Sequence, residues 1–223
     1  MIRTVAIVPA AGSGKRLGLK TKKPFVLLNG RPLVTYALKA LESSGAVDSI
    51  IIAVDKGSVK RFKSLVKSCR FKKVIDVVRG GKTRLESVSN CLDRAGRGFD
   101  VILIHDGARP FVDDRAIKGS VRLAAKYGAC VVAVPECDTV KLAGKGMFVK
   151  KTLDRSALYR AQTPQAFRRD IIKKAYSSKR RRNATDDSAL VERLGAKVKI
   201  LEGSYRNIKV TTKEDLKLAE VLL

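Results

Sequence analysis

Short apolar, β-branched runs alternate with helix-length amphipathic segments along this chain, and that alternation restricts its fold most. The runs are Thr4–Val8, Ser49–Val54, Val74–Val78, Val101–His105, Ala129–Val134 and Lys197–Leu201. Between them lie helix-like segments. Pro32–Ser43 carries Pro at its first position, and Val59–Ser68 follows a Ser58 cap. A third helix begins at Thr83, where Thr83 and Glu86 have capping-box spacing. A fourth follows Asp113-Asp114 and runs to about Tyr127, and a last one follows Thr212, with Asp215 three residues on. Strands and helices taking turns predict an α/β fold with a mostly parallel, doubly wound sheet and right-handed crossovers. With 223 residues and 45% hydrophobic content, we expect one domain over 1–223.

In such sheets ligands bind beyond the carboxyl ends of the strands, and three loops there carry unusual residues. After the first run comes the stretch Val5 to Gly18, VAIVPAAGSGKRLG. Glycines let backbone N–H groups approach phosphate oxygens, and Lys15 and Arg16 supply positive charge. A Walker A loop is excluded because its first Gly would fall on Pro9 and its Ser/Thr on Arg16. A dinucleotide fingerprint fails because its third Gly falls on Leu17, and the ribose-binding acid is missing. The second loop reads Arg79-Gly80-Gly81-Lys82-Thr83-Arg84, and the third Asp106-Gly107-Ala108-Arg109-Pro110. Asp106 is placed to bind a metal or a substrate hydroxyl, or to serve as a turn residue. Arg109 offers a fork of donors to a phosphate or hydroxyl, or could pair with Asp106. His105, the sole histidine, reads as a packed strand residue rather than a base.

Residues 135–165 break the rhythm. Two β-prone stretches flank Gly144-Lys145-Gly146 and read as a hairpin inserted into the α/β sheet. The four cysteines, Cys69, Cys91, Cys130 and Cys137, lack metal-ligand spacing, so neither a zinc site nor a disulfide framework is expected. Cys91 and Cys130 read as small core hydrophobes. No apolar run approaches the roughly 20 residues of a membrane helix, and Met1 leads at once into a strand. A cytoplasmic protein is the expectation. The formal net charge of +26 makes polyanionic partners a question. The cations are spread along the chain, dense only at Lys179-Arg180-Arg181-Arg182, and aromatic residues make up 5%. Solvated helix faces, in a protein whose substrates are themselves anions, account for the charge at least as well as nucleic acid does, and no nucleic-acid partner is expected.

The first loop resembles that of nucleotidyltransferases acting on sugar or polyol phosphates: an apolar strand, a small-A-G-x-G-x-R-L run, then Lys23. The resemblance becomes specific over ordered segments that span almost the whole chain. They are PAAGSGKRLG, KKPFVLLNGRPLV, GGKTRLESV, HDGARPF, DTVK, TLDRSALYRAQTPQAF, ATDDSALVERLG and NIKVTTKEDLKLAE. On these the chain resembles the 2-C-methyl-D-erythritol 4-phosphate cytidylyltransferase family. The resemblance implies a Rossmann-like nucleotidyltransferase fold, with a hairpin arm at about 136–160 that crosses to the partner of a homodimer. It further implies CMP transfer from CTP to methylerythritol phosphate, with Mg²⁺ or another divalent cation.

The resemblance also implies residue roles. Ala10, Ala11, Gly12 and Gly14 would bind CTP, and Gly81 and Ser87 would help read cytosine. Arg16 and Lys23 would stabilise the transition state at the α-phosphate. Asp106 and Arg109 would hold methylerythritol phosphate and the metal environment, Thr139 and Arg155 would act from the arm, and Thr163, Thr185 and Lys209 would complete the substrate site. The chemistry suits this composition. An attacking phosphate needs no strong base, whereas charge building on the α-phosphate needs preplaced cations. Three positions depart from the family's usual pattern. Lys22 competes with Lys23 for the catalytic role, Lys82 stands where an Asp is usual, and Gly107 replaces an Ala. Ribitol 5-phosphate is the rival acceptor, and a nucleic-acid-binding protein on the same scaffold is the rival class.

Overall fold

The protein is described from a computed structural model covering residues 2–12, 14, 18, 22–178 and 184–223. In chain order the first half holds β1 (Thr4–Pro9), β2 (Leu27–Leu28), β3 (Arg31–Pro32), α1 (Leu33–Ser43), β4 (Ser49–Val54) and α2 (Val59–Ser68). It continues with β5 (Val74–Arg79), α3 (Arg84–Ala95), β6 (Val101–Ile104), α4 (Asp114–Tyr127) and β7 (Ala129–Pro135). Then follow β8 (Lys141–Ala143), β9 (Val149–Thr152), β10 (Tyr159–Arg168), α5 (Arg169–Ser177), α6 (Asp187–Glu192), β11 (Lys199–Glu202) and α7 (Lys213–Leu222). The expected strands and helices all occur, within two residues of their expected ends.

The main sheet runs β11-β7-β10-β6-β1-β4-β5. Its pairings are parallel except those of β10, which is antiparallel to both β6 and β7. Alternate residues of β1 serve opposite cores, as the strand period requires. Ala6 and Val8 pack with α1, α2 and α4 through Leu38, Phe62 and Ile117. Val5 and Ile7 pack with α3, α5 and α6 through Val88, Cys91, Ile172 and Leu190. The sheet is therefore covered on both faces, and its carboxyl edge is left for loops.

The sequence reading misses β10, α5 and α6. β10 contains Pro164, which cannot donate to a ladder and argues against a central strand. The sheet accommodates it with a register shift between Ala161 and Gln165 against β7, and β10 pairs with β6 only from Gln165 onward. Two caps also differ from expectation. Ser58 gives α2 no side-chain cap, and Pro32 precedes the first turn of α1. Thr83 caps α3 through the Glu86 N–H, but Glu86 turns to the Lys82 N–H, so that box is half formed. The reciprocal box is complete at Thr212 and Asp215.

β8 and β9 form a separate two-stranded hairpin, the inserted arm. Among the described residues, no helix is long and apolar enough to cross a membrane.

Candidate active site

A cavity of about 500 Å³ opens at the carboxyl edge of β1, β5 and β6. Its wall includes Ala10, Ala11 and Gly12 after β1, Gly81 and Arg84 around the start of α3, and Asp106 after β6. Lys23, Ser87 and Lys209 also line it. The three loops singled out in the sequence thus meet in one place, joined by the loop before α7.

The first loop is held by its neighbours. The Ala10 N–H donates to the Ala53 carbonyl, extending the β1–β4 ladder one residue. Gly14 has φ +68°, and a Cβ there would lie 2.9 Å from the Lys23 Cβ. Both facts favour glycine, because the backbone at this position is left-handed and passes directly against Lys23. Lys23 itself opens a short 3₁₀ turn, Lys23–Phe25, whose Pro24 and Phe25 are buried. Phe25 packs on Phe62, with ring centroids 5.7 Å apart, and the Arg61 guanidinium covers its ring. The lysine is thus carried on an anchored turn. Lys22 points elsewhere, pairing with Asp55 and reaching the Ser58 hydroxyl beyond β4. Of the two competing lysines, Lys23 is the one that lines the cavity.

The second loop is shaped from within. The Gly81 N–H donates to Ser87 Oγ at 3.1 Å, and the Ser87 hydroxyl donates to the Thr83 carbonyl at 2.9 Å. A Cβ on Gly81 would meet the Glu86 Cβ at 2.1 Å, so this position has no room for a side chain. Ser87 therefore fixes the backbone that the wall presents.

Asp106 is buried at the centre of a charge network. Arg84 Nε lies 3.0 Å from Oδ1, and Lys209 Nζ lies 2.6 Å from Oδ2. Burial alone would raise this carboxyl; Arg84, Lys209 and Arg109 outweigh it and hold it far below the ordinary carboxylate range. Asp106 is thus ionised throughout any working pH. It does not ion-pair with Arg109, whose Nη1 donates instead to the Asn207 carbonyl at 2.7 Å. Arg84 also reaches Asp187, with Nη2 2.7 Å from Oδ2.

Behind Asp106 runs a chain of hydrogen bonds. The Asp106 N–H donates to Thr163 Oγ1 at 3.0 Å, and the Thr163 hydroxyl donates to His105 Nδ1 at 3.1 Å. His105 Nε2 faces the Arg109 carbonyl at 3.1 Å, and a carbonyl only accepts, so the proton sits on Nε2. Burial pushes the imidazole pKa down to about 4. His105 is therefore a neutral strut beneath Asp106, as its apolar strand context suggests.

The chain matches the family described as 2-C-methyl-D-erythritol 4-phosphate cytidylyltransferase over residues 4–223. It is 45% identical to the enzyme of that name from Pelotomaculum thermopropionicum, covering 100% of this chain and 95% of the relative. It is 44% identical to that of Geobacillus thermodenitrificans, covering 98% and 96%. The crystal structure of 4-diphosphocytidyl-2C-methyl-D-erythritol synthase from Anaerococcus prevotii superposes with a TM-score of 0.86 at 31% identity. That superposition covers 99% of this chain and 97% of the other. The chain belongs to the 2-C-methyl-D-erythritol 4-phosphate cytidylyltransferase family.

Not every residue that the resemblance assigns to this cytidylyltransferase site lines its cavity. Arg16 lies outside the described residues, as does the Lys179–Arg182 run. Thr163 is buried behind Asp106, its hydroxyl engaged on both sides. Arg109 braces the loop before α7 from outside the lining. Thr185 is exposed two residues before Asp187, and Thr139 and Arg155 lie exposed at the arm, where Arg155 donates to the Cys137 carbonyl. Arg84 and Asp187 carry central charges that the sequence reading passes over. Arg84 stands inside the quoted second loop, and Asp187 inside ATDDSAL, but nothing in their spacing ties them together.

The cavity wall fits a protein-held metal poorly. Among the described residues Asp106 is its one carboxylate, and each of its oxygens already faces a cation. Mg²⁺ sites use one or two carboxylates together with substrate phosphates, and here the carboxylate shares the wall with the cations Lys23, Lys82, Arg84 and Lys209.

Proposed function

We propose that this chain transfers CMP from CTP to 2-C-methyl-D-erythritol 4-phosphate, releasing pyrophosphate, in the non-mevalonate route to isoprenoids. The observation that carries this reading is the convergence of the Gly-rich loop, Lys23, Gly81, Asp106 and Lys209 on one cavity, in a full-length family member. The acceptor phosphate attacks the CTP α-phosphorus, a P–O bond forms, and the bond to the pyrophosphate oxygen breaks. The attacking oxygen is already anionic, so no base is required. This agrees with a site whose only nearby imidazole is neutral and spent on two hydrogen bonds.

The barrier lies in bringing two anions together and in the charge that builds on the α-phosphate and leaving group. Lys23, on its anchored turn, and Arg16, in the same loop, are assigned to that charge. Lys209 and Asp106 orient the acceptor, the ammonium towards its phosphate and the carboxylate towards its hydroxyls. Ala10, Ala11, Gly12 and Gly14 offer backbone to the triphosphate. Gly81, with Ser87 behind it, offers backbone to cytosine. A divalent cation, Mg²⁺ or another, would have to arrive with the nucleotide, since Asp106 is already paired, and would offset the negative charge of the phosphates.

We further assign the arm to a homodimer of this cytoplasmic enzyme. β8 and β9 are exposed at every residue, and Met147 and Phe148 at the tip are 85% and 78% exposed. An isolated two-stranded hairpin is marginal in water, so such a tip calls for a partner surface. Thr139 and Arg155 would then serve the partner's acceptor site. The test is CTP turnover with methylerythritol phosphate and ribitol 5-phosphate side by side. Preference for methylerythritol phosphate is expected; faster turnover of ribitol phosphate would overturn the acceptor assignment.

A further inference from the structure

Four charged groups stand in a row across the site: Asp187, Arg84, Asp106 and Lys209. Asp187 is fully buried at the start of α6 and also accepts from the Tyr176 hydroxyl. Burial would lower the Arg84 pKa, but Asp187 and Asp106 outweigh it and hold the guanidinium charged. The fork of Arg84 is divided between two carboxylates. Nη2 takes Asp187 Oδ2 at 2.7 Å, and Nε takes Asp106 Oδ1 at 3.0 Å. That leaves Asp106 Oδ2 to Lys209, at 2.6 Å.

The division matters because a guanidinium facing one carboxylate alone prefers a bidentate pair. Freed from Asp187, Arg84 could take both oxygens of Asp106 and displace Lys209. Asp187 stands against this, because it holds Nη2, the nitrogen that would join Nε in such a pair. We propose that Arg84, anchored by Asp187, is a positioning residue that sets where the Lys209 ammonium stands towards the acceptor phosphate. The inference rests on the acceptor site assigned above. A lysine at position 84 would keep the charge but could not divide itself between the two carboxylates.

The segment leading into α6 is held from β10. Gln165 Oε1 accepts the N–H groups of Asp187 and Ser188, and Gln165 Nε2 donates to Asp186 Oδ2 at 2.8 Å. Asp187 is therefore clamped from β10 independently of Arg84, and it can act as a fixed anchor rather than follow the arginine.

The experiment compares Asp187→Asn and Arg84→Lys with the wild type in steady-state assays that vary each substrate. In both variants the KM for methylerythritol phosphate is expected to rise about tenfold, with the KM for CTP within about twofold. A purely structural role would lower kcat through a smaller active fraction and leave both KM values unchanged, and that result would overturn the proposal. Thermal melting reports folding. Should Asp187→Asn fail to fold because a charge is left unpaired in the interior, Arg84→Lys alone decides, since its position is partly exposed. The wild type separates the two levels of the argument. If it turns over another polyol phosphate instead, the acceptor assignment fails, and the same KM split is read with that acceptor.

Discussion

The cavity wall and the hairpin arm are built on opposite principles. The wall hangs from buried parallel strands, and each of its groups is held by others: Lys23 by a packed turn, Asp106 by Arg84, Lys209 and Thr163. The arm has no core of its own. Its strands are exposed, and its most exposed large apolar residues, Met147 and Phe148, sit at the tip. Preorganised charge requires a rigid frame, because donors that must move into place lose part of their value. The wall is thus held in place within one chain, whereas the arm, with no core behind it, is the region that the proposed dimer would have to order.

The largest expected effect breaks the wall. Lys23→Ala should lower kcat by about 100- to 1,000-fold, the scale of losing one preplaced donor at developing charge. A near-normal kcat in the steady-state assay would remove Lys23 from the transition state. The wall's supporting layer gives the next effect, on stability rather than rate. His105 has a pKa of about 4 in the fold against 6.5 as the ordinary value. The unfolded chain therefore binds a proton that the folded chain refuses between those values. Stability should fall as pH drops from 6.5 to about 4, by up to about 3 kcal/mol, from this group. Asp106 adds nothing in that window, since its loss comes at lower pH still. Urea midpoints across the window should flatten in His105→Gln; an unchanged slope would mean the imidazole titrates normally.

The arm should respond in binding. Arg155→Ala should raise the KM for methylerythritol phosphate about tenfold and leave the KM for CTP nearly unchanged. A change confined to CTP would move the arm to the nucleotide side. The smallest effect sharpens the choice between neighbouring lysines. Lys22→Ala removes a half-exposed pair with Asp55, worth under about 1 kcal/mol, and kcat should stay within about twofold. A fall as large as that of Lys23→Ala would reverse the assignment.

These two regions were also unequally legible in the sequence. Periodicity located β1, β4, β5, β6 and β7 and their helices, because buried parallel strands are written as continuous apolar runs. Those strands, through the switch to loops at their carboxyl ends, pointed to Gly12, Asp106 and the Gly80-Gly81 turn. β10 escaped because Gln162, Thr163, Pro164 and Gln165 interrupt its apolar character, and only the bulge against β7 makes them a strand. Arg84 and Asp187 escaped for another reason. Their importance is a contact between the start of α3 and the start of α6, about 100 residues apart in sequence, and no local pattern encodes it. Thr163 shows the converse: the resemblance marks the residue, but only the structure shows that its hydroxyl serves His105 and the Asp106 backbone.

A site shared between a wall from one chain and an arm from another is tested most directly by mixing two damaged enzymes. Lys23→Ala spoils the wall and spares the arm; Arg155→Ala does the reverse. After reassociation of equal amounts, half the dimers would be mixed, each with one intact site, so about a quarter of wild-type activity should return at subsaturating acceptor. Activity no higher than the mean of the two separate variants would contradict the shared site.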